Sequence, residues 1–197
     1  MFRLTPLVRN LIIINVVIFL AQNLLSNLHL TEYLSLWSIH SPYFKPYQFF
    51  TYMFAHGGMG HIFFNMIALA SFAPILESYW GEKKFLIYYL ATGLGAGVIY
   101  AVVNLLLGSG GGGIMLGASG ALYGILMAFG LVFPNMEITL LFPPIPIKAK
   151  YMVFLIGFIT YALDSSGTVA HLAHFGGAFV GFIIITIWKS QGRDKGW

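Results

Sequence analysis

Six apolar runs, at about residues 11–28, 60–80, 84–107, 118–134, 150–163 and 169–188, leave this chain few ways to fold. The hydrocarbon core of a bilayer is roughly 30 Å thick and takes about 20 apolar residues in a helix to cross, with shorter spans tolerated inside a bundle. Composition points the same way: 58% of the residues are hydrophobic and 8% are charged, against about 25% charged in a soluble domain. That leaves too little polar surface to cover a core in water. With no water in the bilayer to satisfy backbone groups, such runs cross as helices. The sequence therefore predicts an all-α, polytopic membrane bundle of six transmembrane helices, forming a single domain over residues 1–197. The fourth and fifth runs are short, so neighbouring helices shield them or water reaches their ends.

The charges set an orientation. With a cytoplasmic N-terminus, the inner segments carry Arg3, Arg9, Lys83, Lys84, Lys148, Lys150, Lys189, Arg193 and Lys195, and the outer segments carry Lys45. This excess follows the positive-inside rule and puts both termini in the cytoplasm, which requires an even number of spans. The formal charge of +4 does not point to nucleic acid, because the basic residues flank apolar runs and do not cluster on a soluble domain. The chain has no cysteine, which excludes disulfides, thiolate nucleophiles and Cys-ligated metals. The first run lacks a clear small-x-small cleavage site and many more follow it, so it reads as a retained span and not as a signal peptide.

The loops differ in character. The first outer loop, about 29–59, is long and rich in aromatics, including Tyr33, Trp37, Tyr43, Tyr47 and Phe50. Such side chains favour the headgroup level, so this loop is expected to lie partly in the interface. Glycines at 108 and 110–113 make a flexible outer loop ahead of Ser119. The inner segment from Pro134 to Lys150, with Pro143-Pro144-Ile145-Pro146, is a stiff basic connection.

Polar residues from three runs converge at one depth. His56, His61 and Asn65 lie around the start of the second run, Ser119 at the start of the fourth, and His171 and His174 at the start of the sixth. These three runs all cross from outside to inside, and polar groups in a membrane are costly unless they face the bundle or a water-filled cavity. His174, Gly177 and Gly181 share one helix face, and Gly-x-x-x-Gly lets another helix approach closely. By themselves the glycines would only pack helices. With a histidine one turn above, the same face presses an imidazole against a neighbour. Gly117, Gly120, Ala121 and Gly124 surround Ser119 with a matching set of small residues, so the hydroxyl and an imidazole can meet. Spacing alone leaves open whether His171 or His174 is the partner.

Paired histidines also raise the question of a metal. His56 and His61 are separated by about 140° around a helix and share no face. His171 and His174 share one, but no Asp or Glu lies close by to complete a site. No metal and no cofactor is expected. His61 and Asn65, on one face, are better used as neutral donors to a developing oxyanion, joined by the Ser119 amide at a helix N-terminus. Asp164 sits in the outer loop and is expected in solvent, which leaves a Ser–His dyad and no triad. The nucleophile elbow of soluble hydrolases is not matched, since Ala121 occupies its last glycine position.

These residues resemble the rhomboid family of intramembrane serine proteases, bacterial members in particular. His56-Gly-Gly-Met-Gly-His61-Ile-Phe-Phe-Asn65 is similar to the family's second-span motif, Gly117-Ala118-Ser119-Gly120 to its Gly-x-Ser-Gly motif, and Ala173-His174-Phe-Gly-Gly177-Ala-Phe-Val-Gly181 to Ala-His-x-x-Gly-x-x-x-Gly. The resemblance covers nearly the whole chain. It implies that Ser119 is the nucleophile and His174, not His171, the general base. It places His61 and Asn65 at the oxyanion, Tyr123 against the catalytic imidazole, and His56 in a structural or water-associated role. It further implies transmembrane proteins of a lipid bilayer as substrates, helix-weakening residues near their outer ends, and residence in the cell membrane. One departure is that the Trp-Arg pair common in the family's first outer loop is replaced near Tyr47-Gln48. A non-catalytic, membrane-protein-binding relative is the alternative, but it requires loss of Ser119 or His174, and both are present.

Overall fold

The apolar runs fold as helices, and a polar group from a distant part of the chain fixes the start of the first. The computed structural model describes residues 4–107, 113–139, 144–163 and 168–193. In chain order the helices are α1 (Pro6–Leu24), α2 (Leu30–Leu34), α3 (Gln48–Thr51), α4 (Met59–Trp80), α5 (Glu82–Leu107), α6 (Ser119–Val132), α7 (Ala149–Leu163) and α8 (Thr168–Ser190). Strands β1 (Glu137–Thr139) and β2 (Pro146–Lys148) pair antiparallel, with Ile138 opposite Ile147. The segment from Pro134 to Lys150 thus contains an antiparallel strand pair. Among the described residues, α1, α4, α5 and α8 contain spans long and apolar enough to cross a membrane, while α6 and α7 are shorter apolar helices. Large apolar side chains such as Ile13, Val17, Phe63, Phe64, Phe154 and Phe175 point outward, as lipid and not water would have them.

The first helix lies nearer the N-terminus than the apolar run at 11–28 suggested, and α4 supplies the reason. Pro6 sits in its first turn, where a missing N–H costs nothing. The Glu77 carboxylate, near the end of α4 and 4% exposed, accepts the Leu7 and Val8 amides at 3.2 and 2.9 Å and the Thr5 hydroxyl at 2.5 Å. A carboxylate at a helix N-terminus satisfies otherwise partnerless amides and meets the positive end of the helix dipole. Burying Glu77 is tolerable because all three bonds are charge-assisted.

The long aromatic loop at about 29–59 has an exposed and a buried part. Tyr33, Tyr43, Tyr47 and Phe50 are exposed, whereas Leu36, Tyr52 and Met53 are fully buried. Gln48 anchors the loop. Its side chain is buried, accepts the Lys45 amide at 3.1 Å and donates to the Tyr43 carbonyl at 3.1 Å. Tyr52 Oη donates to the Gly93 carbonyl at 2.6 Å and ties the loop to α5.

The centre of the bundle is α6, which packs on α4, α5, α7 and α8. The close approach rests on residues without side-chain bulk. A Cβ at Gly177 would collide with the Gly120 carbonyl, and one at Gly181 would lie 3.1 Å from the Gly124 Cα. These two contacts, in the same sequence order, make α6 and α8 parallel. A Cβ at Gly124 would also fall 2.5 Å from Thr92 of α5, and Tyr88 Oη donates to the Gly124 carbonyl at 2.7 Å. Between helices in lipid no hydrophobic drive operates, so such contacts carry the association.

One end of the bundle collects the basic residues. Lys189 Nζ, in the last turn of α8, donates to the Leu131 carbonyl of α6 at 2.8 Å. Lys84 Nζ donates to the Arg193 carbonyl and lies over the Trp188 ring at 4.6 Å. The ends of α6 and α8 are therefore level there, and the shortness of α6 falls entirely at its other end. With 14 residues it is about 21 Å long. Gly120 accordingly meets α8 at Gly177, some 13 Å below the first residue of α8 at about 1.5 Å per residue. The start of α6 is recessed within the bundle.

This packing predicts an asymmetry between glycines. Gly177→Ala places a methyl group on the backbone of Gly120 and is expected to lower stability by about 1–3 kcal/mol. Gly60→Ala, in α4 with nothing within 4 Å of the added carbon, is expected to be neutral or stabilising by up to about 1 kcal/mol. Unfolding titrations in detergent check this, and equal effects of the two substitutions would contradict it.

Candidate active site

Ser119 is the first residue of α6 and is half-buried. The backbone leading to it is pinned at several points. Tyr100 Oη donates to the Gly113 carbonyl at 2.7 Å, Met115 and Leu36 exchange backbone bonds at 2.8 and 2.9 Å, and the Gly117 amide donates to the Tyr52 carbonyl at 2.9 Å. Gly117 has φ +113°, in the region that favours glycine, and a Cβ there would lie 2.6 Å from His61 Nε2. Conformation and space both require glycine at this position. The amides of Ser119, Gly120 and Ala121 open the helix and have no partner within it. They form a positive helix terminus at the recessed floor of the bundle.

His61 reaches this floor from α4. The Gly57 amide donates to His61 Nδ1 at 3.4 Å, which makes Nδ1 an acceptor and puts the proton of the neutral ring on Nε2. Nε2 is the atom that faces Gly117. Asn65, one turn further along α4, is 6% exposed, and its Nδ2 donates to the His61 carbonyl at 2.8 Å. An amide nitrogen carries two N–H groups, so this bond engages one of them.

His174 approaches from α8, one turn before Gly177. Its ring is stacked on that of Tyr123, with centroids 4.2 Å apart and an interplanar angle of 14°. Gly120 and Ala173 are close neighbours, a Cβ on Gly120 lying 3.7 Å from the Ala173 carbonyl. Ser119, the residue before Gly120, and His174, the residue after Ala173, thus sit on adjoining turns of two helices in contact. His171 and His174 both line a cavity of about 580 Å³ between α6, α7 and α8. The ring stacked on Tyr123 is that of His174. Gly177 and Gly181 do what their spacing suggested, each abutting α6.

His56 has a different environment. It is 2% exposed, its amide donates to Gln22 Oε1 at 3.1 Å, and Gln22 Nε2 returns a bond to the His56 carbonyl at 3.2 Å. The ring faces the Phe54 carbonyl through Nδ1 at 3.3 Å and lies 5.1 Å from the His61 ring, while Nε2 has no partner among the described residues. Burial, aided by the neighbouring His61, lowers its pKa to about 4, against a smaller opposing effect of the Phe54 carbonyl. Among the described residues no group of three or more His, Asp or Glu is arranged to hold a metal ion. Asp164 and residues 108–112 of the glycine loop lie outside the described residues.

Several contributors left no mark in the sequence analysis. Thr92, Ala96 and Tyr88 of α5 press on the same glycines that join α6 to α8. The run Gly93-Leu-Gly95-Ala-Gly97 is the signal that could have drawn attention to α5. Tyr52, which supports the loop and the segment leading to Ser119, had no such signal.

Fold and site together define a multi-pass α-helical membrane protein that gathers polar side chains from separate helices around the recessed start of a central one. The family model of the rhomboid domain matches residues 43–191, and the chain belongs to the rhomboid family. It is similar to "Rhomboid protein 1, mitochondrial" of Saccharomyces cerevisiae, 31% identical over 133 residues that make up 66% of this chain and 38% of the relative. It is also similar to "Presenilin-associated rhomboid-like protein, mitochondrial" of Bos taurus, 30% identical over 154 residues, 70% of this chain and 38% of the relative. "RHOMBOID-like protein 1" of Arabidopsis thaliana is 28% identical over 147 residues, 71% of this chain and 34% of the relative. The chain spans less than two fifths of the length of these curated relatives.

The lowered pKa of His56 has a thermodynamic consequence. An unfolded histidine titrates near 6.5, so between about pH 6.5 and 4 the unfolded chain binds a proton that the folded one refuses. The stabilisation is complete above that window and is lost as pH falls through it, on the order of 3 kcal/mol in all. Melting in detergent should fall on acidification across this range, and His56→Gln should flatten the slope. An unchanged slope in that variant would contradict the assignment.

Proposed function

We propose that this chain is an intramembrane serine endopeptidase that cleaves transmembrane segments of membrane proteins, with Ser119 as nucleophile and His174 as general base. The observation that carries the reading is the packing of the first turn of α6 against the His174 turn of α8, with Tyr123 stacked on the imidazole. His174 takes the proton of Ser119 Oγ as the oxygen attacks the scissile carbonyl carbon. The tetrahedral oxyanion is met by the Ser119 amide, by His61 Nε2–H and by the Asn65 side-chain amide. His174 then gives its proton to the leaving amine. A water molecule, deprotonated by the same imidazole, releases the acyl group.

The recess of α6 supports an intramembrane reaction, because it sets the first-turn amides below the outer ends of the longer helices. A substrate helix has every backbone group tied up internally, so it must unwind locally before a carbonyl can enter. Segments with helix-weakening residues near their outer ends are the expected substrates. His56 has a supporting role, holding the segment before α4 against α1 through Gln22.

We further infer six crossings in the cell membrane, α6 and α7 completing the four longer spans, with both termini cytoplasmic. The gathering of Lys84, Lys189 and Arg193 at one end of the bundle supports this orientation. Because the chain has no native cysteine, an impermeant thiol reagent added outside should label Lys45→Cys and not Gln191→Cys. The reverse pattern would overturn the orientation.

The chemistry is tested by a fluorophosphonate probe in membranes. Wild type should be labelled, and Ser119→Ala and His174→Ala should not be. Asn65→Ala, folded, should cleave a transmembrane substrate about 10²-fold more slowly. Equal labelling of wild type and Ser119→Ala would remove the nucleophile.

A further inference from the structure

The candidate base is held on one face by Tyr123, and the question is what holds Tyr123. The phenol hydroxyl lies 2.9 Å from Thr160 Oγ1 of α7. Thr160 Oγ1 in turn donates to the Ile156 carbonyl at 2.8 Å. A threonine hydroxyl has a single proton, so with that proton on Ile156 the bond to Tyr123 has only one polarity: the phenol donates and Thr160 accepts. Gly157, one turn before Thr160, faces the ring edge, a Cβ there lying in ordinary contact, 3.7 Å from Tyr123 Cε1.

The Tyr123 ring also borders open space. The cavity of about 580 Å³ runs along Tyr123, Met127 and Phe154 to the His174 and Phe175 side of α8. Apart from the imidazoles of His171 and His174, its side chains are apolar and offer no hydrogen bond to fix a phenol. The directed contact on the Tyr123 hydroxyl therefore comes from α7, a helix that contributes none of the proposed reacting groups.

We propose that Thr160 is a positioning residue for the reaction: by accepting the Tyr123 hydroxyl it holds the phenol ring parallel to His174 and keeps the imidazole aimed at Ser119. The proposal rests on the reading of Ser119 and His174 given under Proposed function. It makes α7 part of the catalytic geometry. Movement of α7 away from α6 breaks the bond, frees the ring to turn toward the cavity and removes the face on which the imidazole is stacked. Binding of substrate elsewhere is unaffected by the hydroxyl itself, so its loss acts on turnover and not on KM.

The test compares Thr160→Val, which keeps shape and removes the acceptor, with Thr160→Ser, which keeps the acceptor, and with Tyr123→Phe, which removes the donor. Thr160→Val and Tyr123→Phe should each lower kcat about tenfold with KM changed less than about twofold, and the double variant should be no worse than either alone. Thr160→Ser should restore wild-type kcat. A second readout does not need turnover: in histidine-labelled protein in detergent, the ring protons of His174, assigned with His174→Gln, should show an upfield ring-current shift. That shift should shrink in Thr160→Val and Tyr123→Phe and persist in Thr160→Ser. Wild-type kcat and ring shifts in Thr160→Val would overturn the proposal, as would a loss that Thr160→Ser shares. Ring shifts that respond as expected in a protein that cleaves nothing would uphold the link between Thr160 and His174 while overturning the proposed activity.

Discussion

Everything at the candidate site depends on how closely two backbones can pass. At the contact of Gly120 with Gly177 there is no room for even one extra carbon, and the Gly124–Gly181 contact repeats the approach one turn on. In lipid this closeness replaces the hydrophobic drive that would join helices in water. It also brings together Ser119 and His174, the proposed reacting pair, which belong to the turns adjoining the first of these contacts. A wider crossing would move the turns that carry Ser119 and His174 apart.

The short central helix makes the second half of the arrangement. Level with α8 at the basic end, α6 starts well below it at the other, and the backbone ahead of Ser119 must descend into the bundle to meet it. A descending strand exposes amides and carbonyls where lipid cannot satisfy them. Leu36, Tyr52 and Tyr100 supply those partners from the outer loop and α5. The aromatic loop is thus less a cover lying on the membrane than the wall of the pit.

Much of this was legible in the chain because it is written as local spacing. Apolar runs announced the helices, Gly177 and Gly181 announced the α8 face, and His61 with Asn65 announced the α4 face. What stayed hidden has a common physical form: a side chain bonding to backbone far away in sequence. Glu77 capping α1 and Gln48 holding the outer loop both bind main-chain groups, which every residue possesses and which therefore leave no signature in the partner. The start of α1 at Pro6, earlier than the apolar run suggested, is a direct result of the Glu77 cap. Thr160 was hidden for another reason, since a hydroxyl that bonds its own helix carbonyl is unremarkable until the second partner is seen.

The lysines at the basic end carry a last consequence. Lys84 and Lys189 are the kind of charge that a translocating chain presents to decide which way it threads the membrane, yet in the finished fold their ammonium groups are clasps on main-chain carbonyls. Sorting and fastening are therefore performed by the same atoms. A copy threaded backwards would carry these groups to the far side, where the carbonyls they close upon are also displaced only if every helix has inverted together. Partial inversion leaves open clasps, so errors of insertion are translated into looseness of the bundle.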